Sequence, residues 1–268
     1  MKSTVYALLS IFIGLFLCSG TATALELGKN ITIFDGQQSD TDVRYYGIGQ
    51  GYEDEETEPN TATSNVWDLE GMFINGTILS LVGEWDFTDT TSHYASDTYD
   101  RDGDNRYTSG DLFIDVAGMN SNGFYGYDYV FDVDWSAGTY NLFSLADTVE
   151  DDYLKTTYKQ DSNPWKFRPN FTSVAIASGS FTEIAGLTNE NVGFAGDNEH
   201  YVVSFDLAQI LTDPVLTGFT AHFTMECGND NLMGTAPVPE PATILLMGFG
   251  LFGIAGFTRK KFKFERQG

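Results

Sequence analysis

The sequence is poor in cysteine and histidine, with 2 cysteines and 3 histidines among 268 residues. Because Cys18 lies in the leader-like N-terminal stretch, Cys227 is left alone, and an intramolecular disulfide is excluded after that stretch. Cys227 is a buried apolar residue, a free thiol or a thioester-forming nucleophile. His93, His200 and His222 are scattered, without the ligand spacing of a zinc motif. Phosphate loops, nucleophile elbows and cysteine pairs are also missing.

Basic residues are scarce as well, since 14 Lys and Arg stand against 38 Asp and Glu. The imbalance is concentrated between residues 25 and 238, which hold 8 basic and 36 acidic residues. A body this acidic repels phosphate groups, so we expect no nucleic-acid partner. The charge either keeps the protein soluble or attracts divalent cations.

What the sequence does contain is apolar and aromatic residues, at 42% and 15% of the chain, arranged in short runs between turn residues. This composition supports a folded core and favours strands over helices. Asn75-Gly76 predicts a tight hairpin, Ser136–Gly138 a second turn, and 206–211 a short helix. We therefore predict an all-β domain over residues 25–232, an antiparallel β-sandwich that is jelly-roll-like. The predicted strands lie within residues 25–34, 43–49, 67–74, 78–85, 110–119, 123–135, 139–145, 171–179, 180–187, 201–207 and 217–227.

Residues 1–24 have the three parts of a secretory signal peptide. Lys2 gives a positive start, residues 5–18 form an apolar centre, and Ala22-Thr23-Ala24 is a small-x-small cleavage site. We therefore expect export and cleavage by a signal peptidase before Leu25.

The other end combines two prolines, an apolar stretch and a basic cluster. The predicted linker at 233–241 contains Pro239-Glu240-Pro241, and 242–257 is 16 apolar or small residues without a charge. As a helix this stretch measures about 24 Å, slightly less than a hydrocarbon core, which flanking residues can bridge by snorkelling. We predict a transmembrane helix at 242–258 and a cytoplasmic basic tail at 259–268. A permanent anchor is one explanation of this arrangement.

A sorting signal is the other explanation. Pro239, Glu240 and Pro241, the helix, and then Arg259, Lys260 and Lys261 together resemble the PEP-CTERM sorting domain of Gram-negative bacteria, also labelled an ice-binding protein C-terminal domain. The resemblance covers residues 236–266. It implies processing by an exosortase-type protease, transit as an inner-membrane protein, and a final place at the cell surface or in a polysaccharide-rich extracellular matrix. The body has no repeating threonine ladder, so ice binding is not implied.

The Asp-rich stretch at 100–111 has the ligand spacing of an EF-hand Ca²⁺ loop and resembles the dockerin version. Position 6 is Asn105 rather than glycine, and no helices flank the loop. An exposed acidic hairpin loop is the alternative. The ligands at positions 1, 3, 5, 7, 9 and 12 are Asp100, Asp102, Asp104, Arg106 through its carbonyl, Thr108 and Asp111.

Two further sets of residues have a functional and a structural interpretation. The aromatic residues form either a sugar-stacking platform or the core. The acidic residues near the hairpin are glycoside-hydrolase carboxylates or chance neighbours in an acidic chain. We expect a non-enzymatic, structural or adhesive surface protein that binds polysaccharide with Ca²⁺ support; the alternative is a secreted glycan hydrolase. The two sets are Trp67, Trp85, Trp135, Trp165, Tyr125, Tyr127 and Tyr129, and Asp68, Glu70, Glu84 and Asp86.

Overall fold

The computed structural model describes residues 25–33, 65–89, 106–117, 124–157, 162–170, 172–194, 199–211 and 216–237. The predicted signal peptide, the strand predicted at 43–49 and the chain from 238 onward lie outside these residues. In the described part, no helix is both long enough and apolar enough to cross a membrane. The predicted helix at 242–258 belongs to the rest of the chain.

The described residues form thirteen strands, two short α-helices, α1 at Asn189–Val192 and α2 at Ala208–Leu211, and two 3-10 helices at Asn65–Trp67 and Glu150–Asp152. The helix expected at 206–211 is confirmed by α2. The strands are β1 Lys29–Asn30, β2 Gly71–Asn75, β3 Ile78–Gly83, β4 Leu112–Ala117, β5 Tyr129–Asp134, β6 Thr139–Ser144, β7 Tyr153–Leu154, β8 Lys166–Phe167, β9 Ala177–Ser180, β10 Thr182–Leu187, β11 His200–Asp206, β12 Gly218–Thr224 and β13 Asn231–Pro237.

These strands build two large antiparallel sheets and confirm the predicted all-β sandwich. The first sheet has the order β1-β2-β3-β11-β10, and the second has the order β13-β12-β4-β5-β6-β9. A two-stranded sheet of β7 and β8 accompanies them. Buried side chains from both large sheets meet in one cluster, for example Leu81 and Phe205 of the first with Phe131 and Phe219 of the second. The main core therefore lies between the two sheets, where the side chains of the two inner faces pack against each other.

Both sheets are also partly covered on their outer faces, which explains why the sequence alternates imperfectly. Leu81 and Val82 are neighbours on β3, yet neither is exposed, because they belong to different clusters. The cluster on the outer face of the first sheet includes Val192 of α1. The cluster on the outer face of the second sheet includes Tyr153 and Phe167 of the small sheet. A strand with both faces buried loses the polar residues that a one-sided strand shows.

The hairpin between β2 and β3 confirms the prediction from Asn75-Gly76, with its turn one residue further along. Asn75 pairs with Ile78 as the last strand pair, so the loop consists of Gly76 and Thr77. Gly76 takes a φ of +62°, the conformation that the first position of a tight hairpin loop favours in glycine. Asn75 stays in the ladder, and its side-chain amide donates to the Glu26 carbonyl at 3.4 Å.

The C-terminal strand β13 corrects the predicted boundary at Leu232. Residues 233–237 were expected to begin a linker, but they pair with β12 in register from Asn231–Thr224 to Pro237–Gly218. Met233 and Ala236 are each 4% exposed. The Ile33 amide also donates to the Met233 carbonyl at 2.7 Å, which ties this strand to the start of the body. The short run of small and apolar residues at 233–237 is typical of a linker. It is buried because it forms the edge strand of the second sheet.

Candidate functional site

The described end of the Asp-rich loop is built into the second sheet. Asp111 precedes β4 directly and is completely buried. Its Oδ1 accepts from the Val133 amide at 3.0 Å, and its Oδ2 accepts from the Phe167 amide at 2.8 Å. Burial raises the pKa of Asp111 to about 7, against the opposing effect of Lys166. Since both oxygens already hold backbone amides, bidentate chelation of Ca²⁺ by Asp111 has to compete with these bonds.

The remaining predicted ligands divide between described and undescribed residues. Thr108 is 8% exposed, and its carbonyl accepts from the Glu226 amide at 2.9 Å. Arg106 is half-buried. Asp100, Asp102 and Asp104 lie outside the described residues, so the Ca²⁺ site stays a prediction.

A cavity of about 490 Å³ opens beside β5 and β6, next to the C-terminal end of this loop. Its walls are mostly polar and carry three carboxylates and one ammonium group. Such groups can donate to and accept from hydroxyl groups of a ligand. The polar residues that line it are Asp89, Thr108, Ser109, Asp132, Asp134, Ser136, Thr139, Asn141 and Lys166, and the aromatic ones are Phe87, Trp135 and Tyr140.

Two carboxylates on the same face of β5 differ electrostatically within this cleft. Burial raises the pKa of Asp132, with Lys166 acting in the opposite direction. The hydrogen bond from Ser136 Oγ at 2.8 Å lowers the pKa of Asp134, and the Ala137 amide adds a second bond at 2.9 Å. Two neighbouring carboxylates whose pKa values move apart are a recognised arrangement for acid–base chemistry.

The tryptophans lie in the core or pack against it rather than forming an open sugar-stacking platform. Among the tyrosines, Tyr127 is buried, and Tyr125 and Tyr129 are half-buried. Trp85 and Trp165 are not exposed, and Trp135 is 6% exposed. Trp67 is half-buried and packs on Trp85 and Tyr107, with ring centroids 5.4 and 5.8 Å apart. Among the described residues, this supports the structural interpretation of the aromatic set.

Three buried ionisable side chains meet at one end of the first sheet. Ligand atoms of Glu70, Glu84 and His200 all lie within 4.8 Å of one another. The exposed fractions of these residues are 0%, 3% and 0%. His200 Nδ1 lies 2.7 Å from Glu70 Oε2, and His200 Nε2 lies 3.1 Å from Asn189 Oδ1 at the start of α1. These side chains are close enough to share one ion.

The sheet register brings these three residues together. Glu70 directly precedes β2, Glu84 directly follows β3, and His200 begins β11. Gly71 pairs with Val82, and Tyr201 pairs with Gly83, so the three strand ends are adjacent. The sequence predicts the hairpin that joins the two glutamates. His200 is 130 residues from Glu70, however, and no local sequence pattern indicates that their strands lie side by side.

The other two predicted carboxylates have separate places. Asp68 is buried at 3% exposure, and its carbonyl accepts from the Trp85 amide. Asp86 Oδ1 accepts from the amides of Thr88 and Asp89, both at 3.0 Å, and so stabilises a turn. The four carboxylates therefore do not form one open cleft.

Cys227 is buried at 5% exposure and has a free thiol. Burial raises the pKa of this thiol to about 12. A thiol that stays protonated at neutral pH is a poor nucleophile, which supports the packing interpretation.

Comparison with known proteins identifies the C-terminal segment. The model of the PEP-CTERM protein-sorting motif matches residues 237–260. This match includes Pro239, Glu240, Pro241, Arg259 and Lys260, which lie outside the described residues, and begins at the last residue of β13. No curated protein and no solved structure matches the chain. The chain therefore carries a PEP-CTERM protein-sorting motif at its C-terminal end, and this motif implies export through membrane-anchored transit and processing by an exosortase-type system.

Proposed function

We propose that this protein is a non-enzymatic component of the cell surface or extracellular matrix, and that it binds polysaccharide in the cleft beside β5 and β6. The observation that carries the proposal is the polar, 490 Å³ cleft in the body of an exported protein. Its carboxylate, hydroxyl and amide groups suit a ligand rich in hydroxyl groups. Because the body is strongly acidic, a neutral glycan fits better than a polyanion.

The tail supports retention of the body close to a membrane until processing. The chain is held in the sheet up to Pro237, and four residues separate it from the predicted helix at 242–258. Four extended residues span at most about 14 Å. Signal peptidase, the inner membrane and an exosortase-type protease are then successive partners before the body reaches its final place. Ca²⁺ in the Asp100–Asp111 loop is proposed to support the cleft, because Thr108 at the loop end lines it.

Co-sedimentation with the producing organism's own extracellular polysaccharide tests the proposal. The full chain is incubated with the polysaccharide in Ca²⁺ and then in chelator. We expect pelleting in Ca²⁺, less pelleting in chelator, and about tenfold weaker binding for the double variant Asp132→Asn with Asn141→Ala, since two hydrogen bonds are lost. Asp147→Asn, an exposed acidic position outside the cleft, is the matched control. Equal pelleting of the double variant, or none of the wild type, would contradict the proposal.

A secreted glycan hydrolase is the second candidate, favoured by Asp132 and Asp134. They lie two residues apart on β5, line the same cleft, and have pKa values moved in opposite directions. The Cα atoms of residues two apart on a strand are separated by roughly 6.6 Å, and inverting glycosidases hold their two carboxyl groups about 6.5–9.5 Å apart. Release of reducing ends from the polysaccharide, abolished by Asp132→Asn, would establish this function in place of binding.

A further inference from the structure

We propose that Glu70, Glu84 and His200 bind a divalent transition-metal ion, with Zn²⁺ as the best fit. The contacts of the His200 ring require a second proton or a metal ion. Asn189 Oδ1 is an acceptor, so His200 Nε2, at 3.1 Å, carries a hydrogen and donates it. His200 Nδ1 and Glu70 Oε2 are 2.7 Å apart, and two lone pairs at that distance repel. A second proton must therefore lie between them, on one group or the other, and a metal ion can take its place.

The burial and charge of the three side chains also favour a bound cation. Two carboxylates lie within 4.8 Å of each other and of the imidazole, at exposures of 3% or less. Bringing like charges into a poorly solvated interior is costly unless an opposite charge is present. The proton between His200 and Glu70 offsets one of these two charges, and a divalent cation at the common centre of the three side chains would offset both.

The donor set decides between metals. One imidazole nitrogen and two carboxylate oxygens are a mixed set, which suits Zn²⁺ better than Ca²⁺ or Mg²⁺, since these prefer oxygen alone. Tetrahedral bonds of about 2.0–2.2 Å place ligand atoms about 3.4 Å apart. The 2.7 Å contact has to open slightly and the widest separations have to close, which side-chain rotation can do.

Asn189 gives the site a second layer of the kind that metal-binding histidines usually have. Its side-chain oxygen holds the far nitrogen of His200 and thereby aims Nδ1 at the glutamates. Asn189 begins α1, whose Val192 packs in the outer cluster of the first sheet. The ion therefore joins the ends of β2, β3 and β11 to the helix that covers them. In an exported body whose one cysteine is buried and unbridged, such an ion can stabilise the fold as a disulfide does in other exported proteins.

Metal titration of the full chain tests the site. The protein is stripped with chelator and titrated with Zn²⁺, and binding is followed by calorimetry and thermal unfolding. We expect one tightly bound equivalent and a rise in Tm of roughly 5–10 °C at a free zinc concentration about 100 times Kd. The variants Glu84→Gln and His200→Gln should lose the bound equivalent of zinc and the rise in Tm. The proposal would be overturned if the wild type failed to bind one equivalent of Zn²⁺, or if either variant still bound it.

Three controls separate this site from others. His222→Gln removes another buried histidine, and Glu199→Gln removes the exposed carboxylate next to His200; both should bind zinc as the wild type does. Asp104→Asn alters the predicted Ca²⁺ loop and should also leave zinc binding unchanged. Loss of the equivalent in any of the three would overturn the assignment.

Co²⁺ substitution of the wild type avoids dependence on the folding of variants. The bound Co²⁺ should show visible absorption of a nitrogen- and oxygen-ligated ion. A thiolate charge-transfer band would instead place the ion at Cys227 and overturn the proposal.

Discussion

Two histidines in the described part of the chain are buried, and their surroundings give them opposite chemistry. His200 is not exposed, and its ring nitrogens face a carboxylate and a side-chain amide. His222 is 1% exposed, its Nε2 donates to the Pro164 carbonyl at 2.9 Å, and its ring packs against those of Phe113 and Tyr127. Burial lowers the pKa of His222 to about 4. The comparison teaches that burial alone does not mark a metal ligand; the neighbouring donors decide.

His222 works together with Asp111 to hold one segment of chain, residues 164–167, against the second sheet. Asp111 Oδ2 accepts from the Phe167 amide, and the Asp111 amide donates to the Trp165 carbonyl at 2.9 Å. We call Asp111, His222 and this segment the β8 clasp. The clasp satisfies backbone groups, whereas Glu70, Glu84 and His200 concentrate ligand atoms around one point.

The largest expected difference between the two histidines is in stability. His200→Phe leaves two buried glutamates beside an apolar ring and should lower the free energy of unfolding by about 3–5 kcal/mol. His222→Phe places a ring among rings and removes one hydrogen bond, so a loss of about 1–2 kcal/mol is expected. Urea unfolding of both variants measures the difference. Equal losses in the free energy of unfolding for the two variants would contradict the difference between the two histidines.

Asp111→Asn tests the clasp alone. The amide group has one acceptor, so one of the Val133 and Phe167 amides will face an N–H₂ group instead of an oxygen. We expect a loss of about 1–3 kcal/mol in the free energy of unfolding, without any change in zinc binding. Asp147→Asn, at an exposed position, is the control and should unfold like the wild type. An Asp111→Asn variant with the same free energy of unfolding as the wild type would show that the two hydrogen bonds contribute little.

The pH dependence of stability should separate the two members of the clasp. For His222 the folded pKa of about 4 lies below the usual value of 6.5, so the unfolded chain takes the proton first and stability falls as pH falls from 6.5 to 4. For Asp111 the folded pKa of about 7 lies above 3.8, so stability falls as pH rises from 4 to 7.

These opposing effects are expected to reach about 1.4 kcal/mol per pH unit for each group inside its window. His222→Gln should therefore leave a steeper loss toward neutral pH, and Asp111→Asn a steeper loss toward acid pH. Urea unfolding between pH 4 and 7, in chelator so that zinc does not contribute, gives the curves. Parallel curves for both variants and the wild type would contradict the assigned environments.

The sequence predicted what local chemistry determines. Asn75-Gly76 revealed the β2–β3 hairpin, the apolar runs revealed the sandwich, and the order of prolines, apolar stretch and basic residues revealed the sorting signal. Long-range pairing was not accessible. The segment β13 contains small residues typical of linkers. It is a strand because it pairs with β12 and hydrogen-bonds to Ile31–Ile33.

The cluster of Glu70, Glu84 and His200 was not predicted from the sequence, for the same reason. Glu70 and Glu84 lie near the hairpin and suggest hydrolase carboxylates, while the spacing of the three histidines along the chain does not indicate a zinc site. The β11–β3 register, which no local pattern encodes, places His200 next to both glutamates. Asp111 was noted for its spacing in a Ca²⁺ loop, while its bonds to the Val133 and Phe167 amides depend on β5 and β8.

Anomalous diffraction at the zinc absorption edge, from crystals of the full chain grown with Zn²⁺, tests the contrast between the two histidines most directly. We expect an anomalous peak within about 2.2 Å of His200 Nδ1 and of carboxylate oxygens of Glu70 and Glu84, and none at His222. Electron density for a hydrogen-bonded His200–Glu70 pair without an anomalous peak between the three side chains would contradict it.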